Sequence, residues 1–358
     1  MLERIIPIFV LTTLAFFVGM LWAPALARYL YAGKFWKKQA RTEGPDGSAL
    51  TFFTKLHKEK ETGTPRMAGV LIWVTTFVFA LGFFFLAEFF PNSFVQRLNF
   101  FSRSQTWIPL FTLVAASLLG LADDVLVVRG AGRVEQGGGI RFRHRLITVG
   151  AIALVGAWWF YAKLGVASIH IPFVGELTIG WWYIPLFIIV MFALFSSSII
   201  DGLDGLAGGV FTILFGVFGA IAFAHQQYHV AAFCAVVAGA LLAFLWFNVP
   251  PAIFYMGETG ILGLTTTLAV IAFITNAVLL LPIIGFVLWL EAGSVIIQLV
   301  SKKVRNKKVF LVAPLHHHLE AKGWPAYTVT MRFWMVAGVS AIIGLIIALA
   351  DPTFILPF

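Results

Sequence analysis

Two aspartates, Asp201 and Asp204, sit in the stretch Ser198-Ile-Ile-Asp-Gly-Leu-Asp-Gly-Leu-Ala-Gly208, between runs that are almost wholly apolar. An ionised side chain near hydrocarbon costs ~2.5–3.5 kcal/mol even on the most lenient insertion scale, so acids persist there where they face water, a metal or a substrate. Gly202, Gly205 and Gly208 let the backbone turn sharply and let a ligand approach it, which a helix passing straight through lipid does not need. A second pair, Asp123-Asp124, continues directly from an apolar run through Gly120-Leu-Ala. Adjacent carboxylates repel, which raises one pKa and suits a cation site or a proton acceptor. Glu258 lies in the loop-like stretch Phe247-Asn-Val-Pro-Pro-Ala-Ile-Phe-Tyr-Met-Gly-Glu-Thr-Gly260, and Ala313-Pro-Leu-His-His-His-Leu-Glu-Ala-Lys-Gly-Trp324 carries three consecutive histidines. Three neighbouring histidines cannot all face one way on a helix and zinc usually takes spaced ligands, so the triplet reads as an anion or phosphate contact. Carboxylates that hold Mg²⁺ together with phosphate oxygens, and cations that neutralise the remaining charge, are the equipment of phosphoryl chemistry.

The elements that must position these groups are membrane helices. With 60% hydrophobic and 11% charged residues and a mean hydropathy of +0.93, the 358-residue chain reads as an all-α polytopic membrane protein. Ten spans are expected near 5–27, 67–90, 107–128, 146–165, 181–200, 206–224, 230–247, 262–280, 283–300 and 333–350, with a turn near Pro282. Residues 168–179 alternate around Val174-Gly-Glu176 and predict a small external β-hairpin, in which His170 is structural or simply exposed. The N-terminal run is longer than a signal-peptide core and its positive charge follows it, so it is read as a span. The sole cysteine, Cys234, excludes a disulfide and a cysteine metal site.

A net charge of +9 would suggest nucleic acid in a soluble chain, but 21 of the 25 Lys and Arg fall in or beside 28–66, 129–145 and 302–332. These are alternate loops of the ten-span count, so they share one face, which the positive-inside rule makes cytoplasmic, and both termini point outward. The expected partner is therefore the lipid bilayer and no nucleic acid. Lys55, His57, Lys58 and Lys60 suit anionic headgroups or phosphate. The loop 129–145 holds five arginines and Gly137-Gly-Gly139 without the Gly-Lys-Ser/Thr ending of a phosphate-cradling loop. The chain is read as one integral membrane domain, 1–358, whose active site comes from the loops near 32–66, 120–145, 198–208, 247–261 and 302–332. A transporter would place its acids near the bilayer midplane. Here they lie at span ends, which favours chemistry at the interface.

Thr64-Pro-Arg-Met-Ala-Gly69, Asp123-Asp124, Asp201-Gly-Leu-Asp-Gly205, Asn248 to Gly260, Glu291 to Gln298, Pro314-Leu-His-His-His318 and Arg332-Phe-Trp334, in this order over nearly the whole chain, resemble the polyprenyl-phosphate N-acetylhexosamine-1-phosphate transferases. The unbroken histidine triplet is similar to that of the family's muramyl-pentapeptide branch. The resemblance implies a ten-span homodimer in a bacterial inner membrane with a cytoplasmic active site. Its implied reaction moves phospho-MurNAc-pentapeptide from UDP-MurNAc-pentapeptide to undecaprenyl phosphate, giving lipid I and UMP with Mg²⁺. It also implies that Asp123 or Asp124 is the base, that Asp201 and Glu258 hold the metal, and that His316, His317 and His318 orient phosphate or the muramyl part. Gly202, Leu203, Asp204, Tyr255 and Gln298 would form the uridine pocket, with Asn248, Lys60 and Arg145 as further substrate contacts. The chain departs from the family pattern at Glu258 (family Asp), Arg66 (Thr), Ala68 (Gly), Ser196-Ser-Ser198 (Asn-rich) and Val127 (Lys). The alternatives are another UDP-sugar such as UDP-GlcNAc and, from a different class, a cation-coupled transporter or an inactive binding homologue.

Overall fold

The computed structural model describes residues 2–39, 62–90, 93–101, 105–132 and 138–354. Lys60, with the rest of the basic stretch 40–61, and Gly137 lie outside the described residues. The long helices are α1 (Leu2–Ala32), α2 (Val70–Phe89), α4 (Trp107–Val128), α5 (Phe142–Trp158), α6 (Tyr183–Ser196), α7 (Leu206–Ala224), α8 (Tyr228–Asn248), α9 (Gly257–Ile274), α11 (Phe286–Arg305) and α13 (Ala326–Ala350). Shorter pieces are α3 (Ser93–Leu98), α10 (Leu281–Ile284), α12 (Leu315–Ala321) and a hairpin of β1 (Ser168–Ile171) and β2 (Gly175–Thr178). Among the described residues nine segments are long and apolar enough to cross a membrane, or ten if the bent pair α10–α11 counts as one.

The expected boundaries fail where apolar sequence is continuous. Spans read as 262–280 and 283–300 are α9, ending at Ile274, and a segment bent by 79° between Ile284 and Phe286. The turn expected near Pro282 is instead two breaks on either side of it. Asn276 takes a left-handed φ of 55° after α9, and Gly285 closes α10 by donating to the Leu281 carbonyl at 2.8 Å. The first break is marked only by the short polar pair Thr275-Asn276 and the second only by Gly285 within an apolar run, so hydrophobicity alone did not separate them. The last span starts at Ala326, not 333, because Arg332 is carried inside the helix with its guanidinium over the Trp324 ring at 4.1 Å. The hairpin turns two residues earlier than expected, with Ile171 opposite Gly175. His170 is 1% exposed and lies 2.7 Å from Asp351 Oδ2 and 3.3 Å from Glu176 Oε1, tying the hairpin to the end of α13.

α9 is the axis of the bundle, its span 94% buried. α4 reaches it through glycine: a Cβ on Gly120 would lie 2.0 Å from the Glu258 carbonyl oxygen, so any larger residue would push the helices apart. The chain entering α2 runs beside the chain entering α9, since Tyr255 N–H donates to Pro65 O (2.8 Å), Ala68 N–H to Tyr255 O (3.0 Å) and Gly69 N–H to Met256 O (2.9 Å). These two close approaches bring the end of α4, the segment 64–69 and the start of α9 to one place.

Candidate functional site

Asp123 and Asp124, in the last turns of α4, are fully buried, so each carboxylate needs partners. Asp124 Oδ2 accepts from the Thr259 N–H and hydroxyl, both at 2.9 Å, and its Oδ1 lies 3.3 Å from Arg66 Nε. A carboxylate on the first N–H groups of α9 also meets the positive end of that helix. Asp124 thereby clamps α4 to α9. Asp123 Oδ1 accepts from Ile140 N–H and its Oδ2 from Arg145 Nη2, both at 2.6 Å. The other end of the same guanidinium, Nη1, donates to Glu258 Oε1 at 2.9 Å. Glu258 is therefore not in a loop, as its Pro- and Gly-rich surroundings suggested, but in the first turn of α9, entered through Gly257 at φ 70°. Its second oxygen, Oε2, is buried with no hydrogen-bond partner among the described residues.

A 3₁₀ turn, Ser197–Ile200, carries α6 into Asp201. Enclosure by protein pushes the Asp201 carboxyl up to about 7 against the pull of Arg66; Glu258 and Asp124 push the same way, while the Gly257 N–H favours the charged form. Next to it, a Cβ on Gly202 would lie 2.2 Å from His316 Nε2, so this position admits the imidazole only because it is glycine. The histidine triplet lies on the helix α12, and its three rings take three directions. His316 is fully buried, with Nδ1 2.8 Å from Glu291 Oε2, its own N–H donating to Glu291 Oε1 at 3.3 Å, and Nε2 unpartnered among the described residues. His317 Nδ1 lies 2.6 Å from Glu320 Oε2, and His318 Nδ1 accepts from Leu311 N–H at 3.1 Å. Glu291, which orients His316 from α11, had no role in the sequence reading. The signal for it was its being a lone acid within an apolar span.

The remaining candidates knit loops together. Asn248 Oδ1 accepts from Gly205 N–H at 3.0 Å while its Nδ2 donates to Phe254 O at 2.8 Å. Asp204, 7% exposed, accepts from Ala252 N–H at 3.3 Å, and Leu203 packs in the core. Tyr255 lies near Thr64, Asp204, Asp201 and Arg66, and burial, with Asp204 acting in the same direction, raises its phenol above the usual value. Gln298 Oε1 accepts from Val309 and Phe310 N–H at 2.9 and 3.0 Å, holding the chain that leads to α12. Val127, where the family pattern has lysine, is 7% exposed beneath Gly139. The site is thus one network of Asp123, Asp124, Asp201, Glu258, Arg66 and Arg145, with Glu291–His316–Gly202 beside it.

Among the described residues no three His, Cys, Asp or Glu converge as a metal cage. Mg²⁺ does not require one, since it is commonly bound by one or two carboxylates plus substrate phosphates. The unpartnered Glu258 Oε2 and the nearby Asp201 carboxyl are a donor set of that kind.

Residues 106–276 match the family described as glycosyl transferase family 4. The phospho-N-acetylmuramoyl-pentapeptide-transferase of Chloroflexus aggregans is 35% identical over 326 residues, covering 87% of this chain and 82% of that one. The enzyme of the same name from Geobacillus sp. (strain WCH70) is 34% identical over 351 residues, 97% of this chain and 99% of the relative. That of Lactiplantibacillus plantarum is 35% identical over 325 residues, with 90% and 92% covered.

Proposed function

The chain belongs to the phospho-N-acetylmuramoyl-pentapeptide-transferase family, and we propose that it transfers phospho-MurNAc-pentapeptide from UDP-MurNAc-pentapeptide to undecaprenyl phosphate, releasing UMP and leaving lipid I for peptidoglycan synthesis. The observation that carries this reading is the acid and guanidinium network at one end of the bundle, in a chain similar to these transferases over 97% of its length.

In this reading Asp123 takes the proton of the lipid phosphate. Asp124 is held by two donors of Thr259 and by Arg66, whereas Asp123 accepts from one backbone N–H and from one nitrogen of Arg145. The freed phosphate oxygen attacks the sugar-bearing phosphorus of the nucleotide, and the bond to the UMP oxygen breaks. Tyr255 offers its ring to uracil, Asp204 and the Gly202-Leu203 backbone border the nucleoside, and Glu291 keeps His316 Nε2 turned toward the loop that carries Asp201. Glu258 and Asp201 would hold Mg²⁺, which supplies charge neutralisation of the transferred phosphoryl group when bound. Purified protein given an equimolar mixture of UDP-MurNAc-pentapeptide and UDP-GlcNAc should consume the former. Preferential use of UDP-GlcNAc would move the chain to the other branch.

The site faces the cytoplasm and both termini face outward, because the basic loops flank the site and the hairpin lies at the far end. Cysteine at Lys307, an exposed residue after α11, should react with an impermeant thiol reagent only from the cytoplasmic side; cysteine at Val174, 75% exposed in the hairpin, only from outside. The opposite labelling would invert the topology.

A further inference from the structure

Arg66 is a departure from the family pattern that the reaction outlined above does not use. Its backbone is fixed: Arg66 N–H donates to Phe35 O at 2.8 Å, and the preceding Pro65 carbonyl accepts from Tyr255 N–H at 2.8 Å. The side chain then runs from the Tyr255 side of the site to the acids. Its Nε stands 3.3 Å from Asp124 Oδ1, and its charge acts on Asp201 as well. Asp124 is completely buried, whereas the Arg66 side chain keeps 20% of its surface exposed, so this side chain is reachable at the site.

The two guanidiniums are placed differently. Arg145 uses both terminal nitrogens on carboxylates, at 2.6 Å to Asp123 and 2.9 Å to Glu258. The Arg66 contact with Asp124 is longer than the ~2.7–2.9 Å usual for a charge-assisted bond. Four carboxylates, Asp123, Asp124, Asp201 and Glu258, repel an incoming polyphosphate unless a cation faces it. A guanidinium is suited to that task because its planar fork matches phosphate oxygens. In a nucleoside-diphosphate sugar the two phosphates join the base end to the reacting end. Arg66 lies in that interval here: its chain neighbour Pro65 bonds the Tyr255 backbone, and its guanidinium meets Asp124 and acts on Asp201.

We propose that Arg66 binds the diphosphate of the nucleotide-sugar substrate, a contact this chain makes from the segment before α2. This rests on the nucleotide-sugar reading given above. Arg66 thereby sets affinity for the donor substrate and leaves the lipid acceptor unaffected.

The test uses full-length protein in detergent, titrated with UDP and with uridine in the presence of EDTA, so that protein cations alone supply any gain from the phosphates. Wild type should bind UDP more tightly than uridine by ~10–100-fold, the gain expected of one or two hydrogen bonds to a charged group. Arg66→Ala should erase that difference and leave uridine affinity unchanged, and Arg66→Lys should restore part of it, since lysine keeps the charge but not the fork. In turnover with Mg²⁺, Arg66→Ala should raise KM for the nucleotide sugar by the same factor and leave KM for polyprenyl phosphate unchanged. A UDP preference retained in Arg66→Ala overturns the proposal, as does a change confined to the KM for polyprenyl phosphate. Parallel loss of uridine and UDP affinity would make Arg66 a structural partner of Asp124 and also overturns it. Wild type that binds neither uridine nor UDP would remove the nucleotide-sugar reading itself.

Discussion

Glu258→Gln is expected to lower UMP release by at least ~10²-fold and to leave the residue insensitive to added Mg²⁺ or Mn²⁺. One carboxylate oxygen pairs with Arg145 at 2.9 Å and the other is buried and unpartnered, so the substitution removes an ion pair and the donor best placed for a cation. Loss of a single preorganised electrostatic contact at a reacting centre already costs ~10²–10³ in kcat. Glu258→Asp is expected to be impaired or at best neutral. Aspartate is shorter by about 1.5 Å, one carbon–carbon bond, and the first turn of α9 is pinned by the Gly120 contact and by Asp124 on Thr259. The shorter carboxylate then loses Arg145. The measurement is UMP release against metal concentration for both variants. Full activity in Glu258→Gln would remove Glu258 from the metal site, and a large gain in Glu258→Asp would mean that the pocket is not shaped for glutamate.

Asp123→Asn is expected to cut turnover by at least ~10²-fold with UDP-sugar affinity largely kept, because a general base acts on the rate of the chemical step. Asp123 is fully buried, and asparagine fills the same space and can still accept from Ile140 N–H, so the helix end should survive the exchange. Asp124→Asn should behave differently: it weakens the Thr259 bonds that hold α4 on α9 and the Arg66 contact that ties α4 to the segment before α2, so thermal stability falls together with activity. Near-normal turnover in Asp123→Asn would remove it as the base, and an unchanged melting temperature in Asp124→Asn would contradict the clamp.

The acids of the candidate site were legible in the sequence because a charge within apolar sequence is conspicuous. Asp123, Asp124, Asp201 and Glu258 stood out for that reason, and the structure gathers them into one network. Their partners were not legible. That Arg145 would bridge Asp123 and Glu258, or that Asp124 would take the start of α9, depends on how α4 crosses α9. That crossing is decided by glycine contacts whose sequence signal is no different from that of any other glycine. Glu291 was as conspicuous as the other acids, but its partner His316 lies on a different element, α12, so its role of orienting that ring could not be read from the chain; the 79° bend between α10 and α11 was concealed by the apolar run around it. The hairpin was visible through its alternation, although its turn was displaced by two residues because Pro172-Phe-Val174 carries no glycine.

The most direct measurement of the central claim is to incubate the purified, folded protein with UDP-MurNAc-pentapeptide, polyprenyl phosphate and Mg²⁺, and to follow UMP and the lipid-linked sugar together. The account predicts both products in equal amounts, dependent on the metal and lost in Glu258→Gln. No UMP from any UDP-sugar, in protein shown to be folded, would contradict it.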